Sequence, residues 1–151
     1  YLILTYTLKD MRYSQSRYYS LAIHQDAQDD LEQIFLIDEV AAADITVFFE
    51  EISGNQDLLS RLTSRGYCHY KDPSFDVDEW QKTRAGRYNL WRIKLIWLKN
   101  VSNYRIIYAF HTIEYCYYVL AILKRDFNYD TKNPRVKRIL QTYETLNIPR
   151  H

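Results

Sequence analysis

Cysteine is scarce in this chain of 151 residues, which has only Cys68 and Cys116. The two cysteines are far apart, and neither belongs to a CxxC pair or to a spacing that is typical of a metal site. We therefore expect reduced thiols, no disulfide framework and no bound metal or other cofactor. This pattern indicates a cytoplasmic protein and argues against a small secreted one.

Long apolar runs are also missing. No stretch reaches the roughly 18–20 apolar residues that a membrane-spanning helix needs. The apolar segment 1–8 is too short for that and lacks the basic leader and cleavage site of a signal peptide. A chain of this length, without repeats or low-complexity tracts, predicts one domain with a core of its own. We place that domain at residues 18–151 and interpret the weakly patterned residues 1–17 as an extension that need not be ordered.

Charge is abundant but unevenly distributed. The formal net charge is only +1. Residues 1–82 hold 7 Lys and Arg against 15 Asp and Glu, a net charge of −8, whereas residues 83–151 hold 13 against 4, a net charge of +9. The basic second half is therefore expected to carry an anionic ligand. The alternative is that the two halves simply form ion pairs with one another.

Two segments in the basic half alternate in the way that predicts half-buried strands. In segment 90–97 apolar residues lie on one face, whereas Arg92 and Lys94 lie on the other. Segment 104–111 repeats the pattern, with Arg105 on its polar face. Trp91 and Trp97 are expected in the core.

A third segment, 115–123, is almost wholly apolar and is followed by Lys124 and Arg125. Three adjacent strands would bring four cations around one concave patch: Arg92, Lys94, Arg105 and Arg125. Such a patch suits a polyanion, and nucleic acid is the simplest one.

The N-terminal part of the domain predicts helices. A strand over residues 18–24 precedes two amphipathic helices, the first begun by Asp26 as its cap and the second ended by Gly54. Only Ile37 and Asp38 separate them. We therefore expect an antiparallel helical hairpin whose apolar stripes cover a sheet.

The remaining segments complete the expected architecture. Residues 56–65 predict a short helix, residues 67–88 are interpreted as irregular, and Asn133 and Pro134 begin a last helix. The expected fold class is α+β. In this arrangement the N-terminal hairpin packs on a small antiparallel β-sheet, and a C-terminal helix follows.

Four basic motifs, taken in chain order, resemble those of the RelE/ParE superfamily of bacterial type II toxins. They are Arg92-Ile93-Lys94-Leu95, Tyr104-Arg105-Ile106-Ile107-Tyr108, Leu123-Lys124-Arg125 and Arg135-Val136-Lys137-Arg138-Ile139-Leu140. The resemblance covers about residues 18–146 and implies a toxin that is neutralised by a cognate antitoxin, which covers the basic face. RelE-like members cut mRNA without a metal, usually in the ribosomal A site. ParE-like members share the fold but poison DNA gyrase.

The resemblance also implies roles for particular residues. By position, the catalytic set is Arg92 and Lys94 as the paired strand cations, Arg105 as the phosphate-binding arginine, Arg125 as the acid-side arginine and Tyr129 as the base-stacking tyrosine. The RNA-binding set is Lys124, Lys137 and Arg138. The sequence departs from RelE itself at one catalytic position, where an arginine replaces a lysine, and its tyrosine follows the acid-side arginine at a shorter spacing.

Metal-free RNA cleavage requires deprotonation of the 2′-hydroxyl, stabilisation of the phosphorane charge and protonation of the leaving 5′-oxygen. Arginine suits the second task because its planar fork matches phosphate oxygens. Arg92 is a poor base, which leaves Lys94 or His111 to take the proton.

The resemblance, together with these residues, implies a ribosome-associated endoribonuclease toxin that cleaves mRNA and inhibits translation. Two alternatives stay open at this point. One is a ParE-like gyrase poison, and the other is a nucleic-acid-binding domain that neither cleaves nor poisons, whose binding would weaken with salt.

Overall fold

A mixed β-sheet, with seven strands among the described residues, organises the chain. The computed structural model describes residues 2–4, 18–96 and 101–151. The strands are β1 (Leu2–Leu4), β2 (Ser20–Ile23), β3 (Cys68–His69), β4 (Phe75–Glu79), β5 (Leu90–Leu95), β6 (Tyr104–His111) and β7 (Cys116–Lys124). Their order across the sheet is β1-β2-β7-β6-β5-β4-β3. Only the β2–β7 pair is parallel among the neighbours described.

Helices cover both faces of this sheet. They are α1 (Gln25–Ile37), α2 (Glu39–Ser53), α3 (Gln56–Ser60) and α4 (Pro134–Thr145). One core lies between the first three helices and one sheet face, and it includes Ile45, Phe48 and Ile93. A second core lies between α4 and the opposite face, and it includes Ile107 and Tyr143. None of the described helices is long and apolar enough to cross a membrane.

The expected architecture is therefore wrong, although the fold is α+β. A helical hairpin on a small antiparallel sheet does not describe a sheet of seven strands that has helices on both faces. Two of the additional strands, β3 and β4, come from residues 67–88, which were interpreted as irregular. Strand β2 lies beside β7 and parallel to it, although the two strands are far apart in the chain. The elements between them therefore form one long crossover connection.

The helix ends follow ordinary capping chemistry. His24, rather than the expected Asp26, caps α1, because its Nδ1 accepts a hydrogen bond from the Asp26 N–H at 3.1 Å. Asp38 caps α2 by accepting from the Ala41 N–H. The predicted stop at Gly54 and the predicted start at Asn133 are both confirmed.

Helix α1 also protects the part of β7 that β2 does not reach. The Asp30 carboxylate accepts a hydrogen bond from the Ile122 N–H at 2.9 Å and forms an ion pair with Arg135 of α4. Burial raises the pKa of Asp30, although the Ile122 N–H and Arg135 oppose this shift. One acidic side chain therefore joins two helices to the part of the β7 edge that lies beyond its pairing with β2.

Two predictions involve residues at the ends of the described ranges. In the segment 1–17, Leu2–Leu4 form β1 and pair antiparallel with β2, whereas residues 5–17 lie outside the described residues. Trp97, predicted for the core, also lies outside them. Trp91 is buried, and its indole N–H donates to Asn89 Oδ1 at 2.6 Å.

Candidate functional site

The candidate site lies on the sheet face that also carries α4. Strand alternation places the cations of β5 and β6 on this face, opposite the core residues that pack against α2. Lys94 is the cross-strand neighbour of both Arg105 on β6 and Asp76 on β4. Arg92 is opposite Asp78 in the next row. Side chains paired in this way have Cβ atoms about 4.5–5.5 Å apart, so each row forms a continuous line of charge.

Six of the described charged residues, five of them from these rows, line one open cavity of about 320 Å³. They are Asp76, Asp78, Arg92, Lys94, Arg105 and Arg125. Arg125 directly follows β7, and its N–H donates to the Asn103 carbonyl at 2.7 Å, which extends the β6–β7 pairing. The structure thus brings together the four cations of the predicted basic patch.

Arg105 lines the cavity together with Arg92 and Arg125. Its guanidinium donates to the carbonyls of Ser102 at 2.8 Å and Tyr104 at 3.0 Å, and these bonds hold the side chain in place. Burial lowers the pKa of Arg105, and the cations Arg92 and Arg125 lower it further. Arginine stays protonated despite such shifts, so Arg105 is a positioned and partly desolvated cation.

Two aspartates in the cavity were missed by the sequence analysis. Asp76 and Asp78 lie on β4, within residues 67–88, for which the sequence analysis predicts irregular structure. A signal was present, because the apolar Phe75 and Val77 alternate with the two aspartates at strand spacing. Asp78 lies 3.8 Å from the guanidinium of Arg92. The cavity therefore holds four cations and two carboxylates rather than cations alone.

Asp76 also faces the thiol of Cys68 on β3. The two residues are cross-strand partners, and a hydrogen bond from the thiol to the carboxylate raises the pKa of Cys68. This contact places a free thiol at the border of the charged cavity.

Replacing Asp76 should therefore make Cys68 more reactive. We expect Asp76→Asn to lower the pKa of the thiol, because the neutral amide no longer favours the protonated form through a carboxylate hydrogen bond. The alkylation rate with iodoacetamide, followed by mass spectrometry from pH 6 to 10, should then rise at a lower pH than in the wild type. Asp78→Asn removes the same charge from the same strand and should leave the pH dependence of Cys68 alkylation unchanged. Coincident profiles for the wild type and Asp76→Asn would contradict the contact.

Tyr129 lies beside the cavity rather than in its lining. Its ring packs edge-on against Trp80, with the ring centres 5.4 Å apart. Burial raises the pKa of the phenol, although Arg92 and Arg105 nearby oppose the shift. Within the described part of the chain, the buried hydroxyl of Tyr129 has no hydrogen-bond partner. A neutral donor is thus held next to two of the predicted catalytic arginines.

The other predicted cations lie outside the cavity lining. Lys124 is exposed on the opposite side of β7 and lines a separate cavity with Asp38 and Tyr104. Lys137 is exposed on α4, and Arg138 forms an ion pair with Asp26 of α1.

His111, one of the two bases considered for proton abstraction, is buried at the far end of β6. Its Nδ1 accepts a hydrogen bond from the Glu114 N–H at 3.1 Å, and its Nε2 lies 3.6 Å from the Glu114 carboxylate. These contacts position it in the turn between β6 and β7. His111 is therefore unsuited to act as the base of a reaction in the cavity.

The acidic and basic halves of the chain do pair in part. Asp26 and Asp30 of α1 bind Arg138 and Arg135 of α4. The pairing is incomplete at the cavity, where Arg92 is the one cation with an ion pair to a carboxylate among the pairs described. The cavity therefore keeps a formal excess of positive charge, which favours an anionic ligand.

No group of three or more His, Cys, Asp or Glu side chains within residues 18–96 and 101–151 is arranged to hold a metal ion. Comparison of the chain with family models, with curated proteins and with solved structures finds no match.

Proposed function

We propose that this chain is a metal-independent endoribonuclease that cleaves mRNA, in association with the ribosome in the cytoplasm, and inhibits translation as the toxin of a RelE/ParE-like toxin–antitoxin system. The observation that carries the proposal is the convergence of four cations and two carboxylates around one open cavity. The order of the basic motifs along the sequence supports the choice of RNA as the anion. A cognate antitoxin would inhibit the protein by covering the same cations.

The cations suit the phosphate of the reaction. Arg105 and Arg125 would bind the scissile phosphate. Both line the cavity, and two backbone carbonyls fix the guanidinium of Arg105. Attack by the 2′-oxygen puts additional negative charge on the phosphorus oxygens, and guanidinium groups fixed in advance stabilise that charge. Tyr129, whose buried hydroxyl lies near Arg92 and Arg105, would help to position these two arginines rather than stack on a base.

The carboxylates supply a base. Arginine cannot take a proton at neutral pH, whereas Asp76 is a carboxylate within the same row as Lys94 and Arg105. Asp76 would accept the 2′-hydroxyl proton, the 2′-oxygen would bond to phosphorus, and the bond from phosphorus to the 5′-oxygen would break. Lys94 would protonate that leaving oxygen. The products would be a 2′,3′-cyclic phosphate and a 5′-hydroxyl end.

Induced expression in a bacterial host tests this function. We expect wild-type protein to stop growth and to create new internal 5′ ends in mRNA, mapped by primer extension. Asp76→Asn should lower the cleavage rate by about 10²-fold, because it removes the base while leaving the arginines in place. Asp57→Asn, an exposed position on α3, serves as the matched control.

Other outcomes of the same experiment would identify other functions. Growth arrest with intact mRNA and broken DNA would favour a gyrase poison. Normal growth with intact mRNA would leave a nucleic-acid-binding domain without cleavage activity. Either result would overturn the ribonuclease proposal.

A further inference from the structure

A second surface, on the opposite side of the sheet from the charged cavity, is an apolar groove between α1 and α2. The groove has a volume of about 550 Å³, and Leu31, Phe35, Ala43 and Val47 are among the residues that line it. Phe35 is 53% exposed and Val47 46% exposed, although both are large apolar side chains. Exposed apolar surface of this kind, concentrated in one groove, indicates a binding surface.

The exposed apolar surface continues to the corner where α1 ends and α2 begins. Leu36 is 76% exposed, Ile37 69% and Val40 61%. The corner adjoins the α1 end of the groove, since Leu36 follows the groove residue Phe35 directly in sequence. A ligand that fills the groove could therefore also cover part of this corner.

The shape of the groove fits a helix. Its walls are residues one helical turn apart on each side, from Gln28 to Phe35 on α1 and from Ala43 to Glu50 on α2. At a rise of about 1.5 Å per residue, each wall is about 10 Å long, or two turns of helix. An amphipathic helix with apolar residues at i, i+3 or i+4, and i+7 matches a groove of this length.

The charged side chains described at the rim of the groove, Glu32 and Glu50, are both acidic. Residues 18–60 contain ten Asp and Glu and no Lys or Arg. Glu32 and Glu50 are exposed and line the groove itself. Asp26 and Asp30 form ion pairs with arginines of α4. The two rim glutamates form no ion pair among the residues described. The surface is therefore complementary to a partner with basic flanks.

The charge of the rim argues against two other occupants. A two-fold dimer through this groove would bring the acidic rims of two copies together, and like charges in an interface are unfavourable. A membrane with anionic lipids would repel the same rim. We propose that the groove between α1 and α2 binds an amphipathic helix of a partner protein, with an apolar stripe and Lys or Arg on its flanks.

Synthetic peptides test this proposal directly. Two helical peptides of 18 residues share a leucine stripe at i, i+3 and i+4 and carry either Lys or Glu on the flanks. Binding to the full chain is measured by fluorescence anisotropy at low and moderate salt. We expect the Lys peptide to bind on the order of tenfold more tightly than the Glu peptide, with a preference that shrinks as salt rises.

Surface variants locate the binding site. Glu32→Lys combined with Glu50→Lys should reverse the preference between the two peptides, because it changes the sign of the rim. Val47→Lys should weaken binding of the Lys peptide by placing a charge in the groove. Glu51→Lys makes the same change next to Glu50 but outside the groove lining, and it should have little effect. Circular dichroism checks that each variant is folded.

Three results would overturn the proposal. They are equal binding of both peptides, binding of neither, and self-association in sedimentation velocity that Val47→Lys abolishes. The last would mean that a second copy of the chain covers the groove. None of these measurements depends on ribonuclease activity, so they test the groove independently of the charged cavity.

Discussion

Arg105→Ala should lower the rate of RNA cleavage by the purified protein by about 10²–10³-fold, the range found when one donor to a developing negative charge is removed. Arg105 is the cation that two backbone carbonyls fix inside the cavity, and Arg92 and Arg125 both act on its pKa. Alanine at this position leaves the phosphorane without its central guanidinium. The measurement is single-turnover cleavage of a labelled mRNA bound to purified ribosomes, with the product ends identified.

Two further variants test whether the loss of cleavage is specific to the guanidinium of Arg105. Arg105→Lys keeps the charge but loses the planar fork, so its rate should fall between those of the wild type and Arg105→Ala. Arg61→Ala makes the same substitution at an exposed position whose ion pair with Asp57 spans 4.0 Å, and it should cleave normally. Wild-type cleavage by Arg105→Ala would show that the charged cavity is not the site of the reaction.

Phe48→Ala should lower the free energy of unfolding by about 3–5 kcal/mol, as expected when a fully buried aromatic ring is truncated. Phe48 of α2 is fully buried, and its ring packs edge-on against the ring of Phe75 of β4, with the ring centres 5.3 Å apart. The substitution leaves a cavity between the helix and the strand that carries Asp76 and Asp78. Urea unfolding followed by circular dichroism measures the loss.

The neighbouring residue provides the control. Val47 lies one position away on α2, and its side chain is 46% exposed. Val47→Ala should therefore lower the free energy of unfolding by less than about 1 kcal/mol. A similarly small loss for Phe48→Ala would contradict the packing of α2 against β4. Cleavage by the folded fraction of Phe48→Ala should stay close to normal, since the phenyl ring lies on the opposite face of the sheet from the cations.

Local patterns in the sequence were sufficient for several elements. The alternation in β5 and β6 predicted both strands and the shared face of Arg92, Lys94 and Arg105, because side-chain direction in a strand depends only on the period of two. Asn133 and Pro134 predicted the start of α4, since helix caps are formed by nearby backbone and side chains.

The sequence signal for the short strand β4 is weaker. The β4 strand alternates correctly, but its five residues follow Pro73 and are rich in acid, so the pattern was interpreted as a loop. Aspartate is unfavourable in strands on average. Pairing with β5 stabilises it here, where Asp76 and Asp78 lie opposite Lys94 and Arg92. The carboxylates of the candidate site were missed for that reason.

The sequence by itself determined which segments alternate, where several helices begin and end, and which cations share a strand face. Only the tertiary structure decided that β2 lies parallel to β7, that helices cover both faces of the sheet, and that Asp76 and Asp78 enter the cationic cavity. Local rules depend on neighbours within a few residues, whereas strand pairing and ion pairs join residues far apart in the chain. The contact of Asp30 with both Ile122 and Arg135 is one such case, because it depends on three elements meeting in space.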